Sequence, residues 1–330
     1  MSRLQREAQG VRLLWGGFWS ARIIITANNY HIFDQLQEPT AADQVARAIA
    51  ADPRATEVLL DALTALRLVR KQKGLYRNTR LSGTFLVSGT PHYQGDILKH
   101  ADNLWQGWSQ LDGVIKTGNP ATKVDFDHRA FIMGMHNIAY LIAPEVIGAI
   151  GMAGVTSALD LGGGPGTYTL EMRRQGAPSV THFDLPATTA IARQVAAHAG
   201  VPDGITFRSG DVLKDELGTG YDLILLSQFI HSFAAEENLL VFTKACRALR
   251  PGGRIAVQEF PLHRDHASPT QGALFSVNML VNTPGGRCYP PSEIRSMLRQ
   301  AGFVRASSSL VAGNSLTIAS RPKNTKAPRR

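Results

Sequence analysis

The sequence predicts two domains in series: a small N-terminal domain of helices with a short β-hairpin, and a larger C-terminal α/β domain on a mainly parallel sheet. Three observations carry that expectation. Residues 40–79 run helix, turn, helix, and then two short strands around Lys73-Gly74. From Ser157 onward, apolar strands alternate with amphipathic helices, the pattern of a sheet covered on both faces. The last two strands are joined by residues 311–315, too few for a crossover helix, so they pair antiparallel at the end of that sheet.

Composition bounds the function. A chain of 330 residues with 44% apolar and 18% charged residues can bury two cores. No run approaches the ~20 uncharged apolar residues of a membrane span. The most apolar N-terminal stretch, 11–27, is broken by Arg12 and Arg22 and lacks a small-residue cleavage site. It reads as a core or interface helix, and a cytoplasmic address is the default expectation. Cys246 and Cys288 are the only cysteines, which excludes a disulfide framework and a four-cysteine zinc site; no metal is expected. The net charge of +9 concentrates at the end: residues 321–330 hold five basic side chains and no acid, leaving +4 on the other 320. That segment reads as a disordered basic tail.

Residues 11–37 are expected to form a helix in which Leu13, Leu14, Trp15, Phe18, Ile23, Ile24, Ile25 and Phe33 give a wide apolar surface. One helix of a small domain cannot hide so much, and a second copy of the chain is the natural cover. A short helix over 40–49 follows, with Val45 and Ile49 on one face. Asp52-Pro53, a cap and a first-turn proline, opens the next helix, whose apolar positions Leu59, Leu63 and Leu66 recur at helical spacing. With the hairpin as a wing, this is a winged helix. Its would-be recognition helix, 53–67, balances Arg54 and Arg67 against Glu57 and Asp61, a poor start for neutralising phosphates; nucleic acid is not the expected partner, although the wing carries Arg70, Lys71, Lys73 and Arg77. The domain is placed at 1–95, the catalytic domain with a helical linker at 96–320, and the tail at 321–330. The linker, 92–150, reads as helical and is rich in aromatic and methionine residues.

In the C-terminal domain, strands are expected at 158–161, 180–183, 205–208, 223–226, 255–258, 303–307 and 316–319, with helices near 167–175, 188–199, 235–249 and 292–301. Where the first strand turns into a helix stands Leu159-Asp160-Leu161-Gly162-Gly163-Gly164-Pro165-Gly166-Thr167. Glycines there permit positive φ and close approach of the backbone to a ligand. Asp184 ends the second strand, 20 residues after Gly164, where a carboxylate can take both ribose hydroxyls. Gly210-Asp211-Val212 follows the third strand and places an acid for an adenine amino group. Leu249-Arg-Pro-Gly-Gly-Arg254 leads into the fifth.

Together with the antiparallel terminal pair, this set resembles the Rossmann-like class I S-adenosylmethionine-dependent methyltransferases. A dehydrogenase using NAD shares the glycine loop but normally closes on parallel strands. Over roughly residues 10–320 the chain is similar to the plant caffeic-acid-type O-methyltransferases and their bacterial small-molecule relatives. That resemblance implies a dimerisation role for the winged helix and S-adenosyl-L-methionine as cofactor, with S-adenosyl-L-homocysteine as product. It implies a cofactor site of Asp160, Gly162, Gly164, Asp184, Leu185, Asp211, Val212, Ser227 and Gln228. It makes His231, in Ser227-Gln-Phe-Ile-His231-Ser-Phe, the general base, and Glu259 its acidic partner. Pro284-Gly-Gly-Arg287 also matches, but Cys288 stands where the plant enzymes carry a second glutamate, and Ser232 and Phe233 replace an acid and a tryptophan. The acceptor pocket is expected among Trp105, Trp108, Phe131, Met135, His136, Tyr140, Asn278, Met279 and Asn282, suited to a flat aromatic or polyketide-like hydroxyl compound. Methylation at carbon or nitrogen is the alternative that Cys288 leaves open, and a regulator working through its winged helix is the more distant one.

Overall fold

The computed structural model describes residues 1–122, 126–200 and 203–323. Its internal contacts divide the chain into two units, Met1–Leu104 and Trp105–Arg330. The division falls inside a helix, nine residues beyond the expected boundary at 95, because the linker helix α5 (Gly95–Trp108) runs through it. Of the basic tail, 324–330 lie outside the described residues.

In the first unit, α1 (Arg3–Asn29) begins earlier than expected, at a capping box in which the Ser2 hydroxyl accepts from the Gln5 backbone N–H and the Gln5 side chain accepts from that of Ser2. It also ends earlier. The expected single helix to 37 breaks after Asn29, His31 takes a left-handed φ of 50°, and a 3-10 turn spans Ile32–Leu36. Two successive asparagines are poor helix formers, and the turn carries Ile32, Phe33 and Leu36 into the core, which a straight helix would have carried past it. Leu13, Leu14, Trp15, Phe18 and Trp19 all stay at least half exposed on α1.

Thr40–Ala41 form a short strand, β1, where a helix was expected to start. They pair with β3, and α2 (Ala42–Ala48) follows. Helix α3 (Pro53–Ala65) starts as predicted: Asp52 caps it by accepting from the Ala55 N–H. Its buried face is Thr56, Leu60 and Leu63, about a sixth of a turn from the one expected and sharing Leu63 with it, and Leu66 is exposed. Strands β2 (Val69–Gln72) and β3 (Leu75–Asn78) close around Lys73 and Gly74, both at positive φ, as a two-residue hairpin requires. Helix α4 (Arg80–Phe85) leads towards α5.

The second unit opens with α6 (Leu111–Thr117), α7 (His128–Ala139) and α8 (Ala143–Ile150). Then follow β4 (Ser157–Leu161), α9 (Thr167–Arg174), β5 (Ser179–Asp184), α10 (Pro186–His198), β6 (Ile205–Ser209), β7 (Tyr221–Ser227), a 3-10 turn at Ile230–Ser232 and α11 (Ala235–Ala248). The chain finishes with β8 (Leu249–Glu259), α12 (Thr270–Asn282), α13 (Pro291–Gln300), β9 (Val304–Val311) and β10 (Asn314–Ser320). The sheet order is β6-β5-β4-β7-β8-β10-β9. The five strands β4 to β8 are parallel, and β10 lies antiparallel between β8 and β9. Alternate residues of the central strands feed two cores. Leu159, Leu161, Ile224 and Leu226 pack with α11 and α13, and Ala158, Leu223 and Leu225 pack with α8 and α9. Burial on both faces is why these strands read as unbroken apolar runs. Strand β8 starts six residues before the expected 255. Tyr221 pairs with Leu249 and Leu223 with Arg254, so Arg250-Pro-Gly-Gly253 bulges out opposite Asp222.

Among the described residues, no single helix is long and apolar enough to cross a membrane. Leu60→Ala should lower the unfolding free energy by about 2–5 kcal/mol, whereas Leu66→Ala should change it by under ~0.5 kcal/mol. Paired urea titrations distinguish this buried face of α3 from the one through Leu66.

Candidate active site

The carboxyl ends of the parallel strands carry the polar loops. After β4 the chain turns through Gly162–Gly166 into α9, and the sterics of that turn are explicit. Gly162 has φ +71°, and a Cβ there would lie 2.1 Å from the Phe229 ring; one on Gly163 would lie 2.6 Å from the His182 ring. Gly164, at φ +53°, faces open space. The Gly162 and Gly163 N–H groups donate to the Phe183 carbonyl at 2.9 and 3.3 Å, and Gly164 N–H donates to Asp184 Oδ2 at 2.8 Å. The other Asp184 oxygen accepts from Leu185 N–H at 2.7 Å. Asp184 thus terminates β5, as expected, with its carboxylate against the glycine loop.

Asp160 differs from its expected place. It is buried beneath the loop, accepting from the Thr169 hydroxyl at 2.6 Å, so it braces the strand-to-helix turn and does not present a carboxylate on it. Burial raises its pKa, against the opposing influence of His182 and Thr169. Asp211, after β6, accepts from Leu213 N–H and pairs with Lys214 at 2.9 Å; these contacts hold its carboxyl below the usual range. The Val212 side chain is in the core and Leu185 is exposed. Ser227 donates to Gln258 Oε1 at 2.6 Å, and Gln228, at φ 52°, donates to Asn314. Carboxylates at two strand ends are hydrogen-bond acceptors that fit the hydroxyl and amino hydrogens of a nucleoside.

His231 lies on the 3-10 turn after β7. It is 7% exposed, so it is not a helix-start histidine facing solvent. Its Nδ1 is 2.7 Å from Glu259 Oε2. The other Glu259 oxygen accepts from the backbone N–H groups of Phe229, Ile230 and His231 at 2.9, 2.9 and 3.4 Å. A fully buried carboxylate bonded to three amides fixes the turn, sets the imidazole orientation and assigns the proton to Nδ1. Nε2 is then the nitrogen left to take a proton from a bound group.

Two residues outside the predicted set wall this histidine. The Phe275 ring stands edge to face with it at 4.9 Å, and Phe260, 3.9 Å from Phe275, lies at 6.1 Å. Phe260 directly follows Glu259 and could have been read from the sequence. Phe275 belongs to α12, which no clear periodicity announced. Cys288 is buried, its backbone N–H donates to Ser276 Oγ, and burial pushes its thiol up to about 11, so it stands as a neutral group near Glu259. In the expected acceptor set, Trp108 Nε1 donates to Asn278 Oδ1 at 2.9 Å and Asn282 donates to the same oxygen at 3.1 Å, joining α5 to α12. Trp105 is half-buried on α5, and Met279 is buried. Phe131, Met135, His136 and Tyr140 belong to a second group on and just after α7, where His136 stacks on Tyr140 at 5.6 Å and its Nδ1 meets Thr167 Oγ1 at 2.8 Å. Burial, with Arg174 nearby, lowers the His136 pKa.

A sheet closing β8-β10-β9, a glycine loop with an acid at the end of the neighbouring strand, and a buried His–Glu pair beyond the fourth strand define a class I S-adenosylmethionine-dependent methyltransferase. Comparison with known proteins is in accord. Residues 106–304 match the O-methyltransferase domain and residues 13–88 the O-methyltransferase dimerisation domain, and the chain belongs to that family. It is 31% identical to the 3-hydroxy-5-methyl-1-naphthoate 3-O-methyltransferase of Streptomyces sahachiroi, over 87% of this chain and 86% of that protein. It is 30% identical to the S-adenosyl-L-methionine-dependent methyl transferase PigF of a Serratia species, over 88% and 89% of the two chains. The solved structure of PigF with SAH superposes with a TM-score of 0.88, at 26% identity over 97% of this chain and all of the other. Human N-acetylserotonin methyltransferase in complex with SAM gives 0.87, at 26% identity over 98% and 99%. The chain is accordingly an S-adenosylmethionine-dependent O-methyltransferase.

The loop sterics yield a graded expectation. Gly162→Ala meets both a positive φ and the Phe229 ring, whereas Gly164→Ala meets only the positive φ, a cost of about 1 kcal/mol. Thermal melts should show the larger loss for Gly162→Ala; equal losses would contradict the packing of Phe229 on the loop.

Proposed function

We propose that the chain methylates a hydroxyl of a small, flat, aromatic or polyketide-like acceptor, with His231 as general base. The single observation that carries this reading is the 2.7 Å bond between His231 Nδ1 and a fully buried Glu259, beside the Phe260–Phe275 wall. Relatives that act on a naphthoate and on acetylserotonin, both ring compounds by name, support the acceptor class.

Gly162, Gly164, Asp184 and Asp211 are the residues proposed to hold the cofactor, with Leu185, Val212, Ser227 and Gln228 around them and Asp160 bracing from below. S-adenosylmethionine supplies, when bound, a methyl group already activated on a sulfonium. The protein's tasks are then to align the acceptor and to remove one proton. His231 Nε2 takes the proton from the acceptor hydroxyl, and Glu259 stabilises the imidazolium that forms. Phe260 and Phe275 keep water from the imidazole and offer faces for an aromatic acceptor. Trp108, held by Asn278, to which Asn282 also donates, and Phe131, Met135 and Tyr140 from the α7 region are proposed to shape the rest of the pocket. One carboxylate serves His231, since neutral Cys288 replaces the second acid.

The exposed apolar residues Leu13, Leu14, Trp15, Phe18 and Trp19 of α1 support a homodimer through the N-terminal unit. A DNA-binding role is not favoured: Lys71 of the wing is bonded to Asp61 of α3 at 2.7 Å, and Arg77 lies 3.7 Å from Glu38.

His231→Ala should lower turnover by roughly 10²- to 10⁴-fold while S-adenosylhomocysteine affinity, read by calorimetry, stays near wild type. Glu259→Gln should lower both turnover and the melting temperature, because its single amide oxygen cannot serve Nδ1–H and the three backbone N–H groups together. Retention of most activity by His231→Ala would remove the base from the mechanism. In the same titrations Asp184→Ala should bind severely more weakly, and a wild-type protein that releases no heat would overturn the cofactor site. Light scattering should report twice the 35.8 kDa chain mass, and a stable monomer at micromolar concentration would contradict the dimer.

A further inference from the structure

We propose that α7 is a strap tying the first turns of α9 and α10, so that filling the cofactor site orders the helix that borders the acceptor. The inference rests on the cofactor site proposed above at the glycine loop and Asp184.

Helices α9 and α10 begin directly after those two elements, at Thr167 and Pro186. Each carries a buried threonine in its first turn, and α7 reaches both. His136 Nδ1 meets Thr167 Oγ1 at 2.8 Å, and His128 Nε2 meets Thr188 Oγ1 at 3.3 Å. Arg129 adds a bond to Gln194 Oε1 at 2.8 Å on the α10 side. The two histidines are eight residues apart, about 12 Å along the helix axis, so one rigid element spans from one loop's helix to the other's. Packing α7 on its neighbours would need only apolar contacts. Directional bonds to two buried hydroxyls add a constraint on where those first turns sit, because a buried hydroxyl left unmatched is costly.

The His136 contact is the firmer of the two. The imidazole stacks on Tyr140, and burial beside Arg174 favours its neutral form, so the bond to Thr167 joins two neutral groups. Thr167 immediately follows Gly166 of the glycine loop. A ligand that settles that loop therefore settles Thr167, and through it the helix carrying Phe131 and Met135. By linkage the coupling runs both ways: an acceptor ordering α7 would tighten the cofactor site. His136 acts as a positioning residue in this scheme.

Hydrogen–deuterium exchange of residues 128–139, with and without saturating S-adenosylhomocysteine, tests the strap. Wild type should show ligand-induced protection there. Thr167→Val, which keeps the shape and removes the hydroxyl, should lose that protection and bind S-adenosylhomocysteine about 2- to 10-fold more weakly. Thr167→Ser should restore both. Should Thr167→Val fold poorly, His136→Phe keeps a ring on Tyr140 and carries the same expectation. Wild-type protein that binds the ligand with unchanged exchange in 128–139, or a valine variant with the full response, would overturn the strap alone. Absence of binding by wild type would overturn the cofactor site as well.

Discussion

The Glu259 carboxylate is the constraint on which the site depends. It ends β8, is almost completely buried, and spends one oxygen on three successive backbone amides and the other on His231. Burying a carboxylate unmatched would be prohibitive. Four donors within reach make the burial tolerable and leave the turn after β7 one conformation. The same contacts therefore fold the segment and orient the imidazole. Strand β8 is in turn held between parallel β7 and antiparallel β10, so the position of Glu259 derives from the sheet.

Phe229 joins that turn to the glycine loop. Its backbone N–H donates to Glu259, and its ring fills the space above Gly162 that a side chain would take. On the other side of the loop, His182 of β5 occupies the space beside Gly163 and meets the Gly164 carbonyl at 3.1 Å. The glycines are needed twice over, for positive φ at Gly162 and for ring contact at Gly162 and Gly163. The glycine loop and the turn that carries His231 are two ends of one packed unit, joined through Phe229.

Much of this was legible before any coordinates. The central parallel strands read as apolar because both faces are buried, alternation with helices marked the sheet as parallel, and the short 311–315 link marked the last two strands as an antiparallel pair. The glycine run, Asp184 and Asp52 carry local signals tied to strand ends and caps. His231 and Glu259 were found through resemblance, since no local pattern pairs residues 28 positions apart. Less legible was α12, whose mixture of glycine, β-branched and apolar residues has no single face, and with it Phe275 and Ser276. The helix over 11–37 was overextended because apolar residues resume at Ile32 and Phe33 just beyond the polar Asn28–His31 segment, where the chain in fact turns.

The sequence by itself determined the layered α/β architecture, the glycine turn and the acids at strand ends, because periodicity, caps and positive-φ requirements act over a few residues. Tertiary structure alone decided which polar groups work together. Asp160 was drawn beneath the loop by Thr169, and Cys288 was settled as a buried neutral thiol beside Ser276. His136 was set against Thr167, 31 residues away. Such pairings follow from burial and distance across the sheet, and the physical reason is plain: the desolvation that selects a buried partner does not exist until the strands and helices have packed.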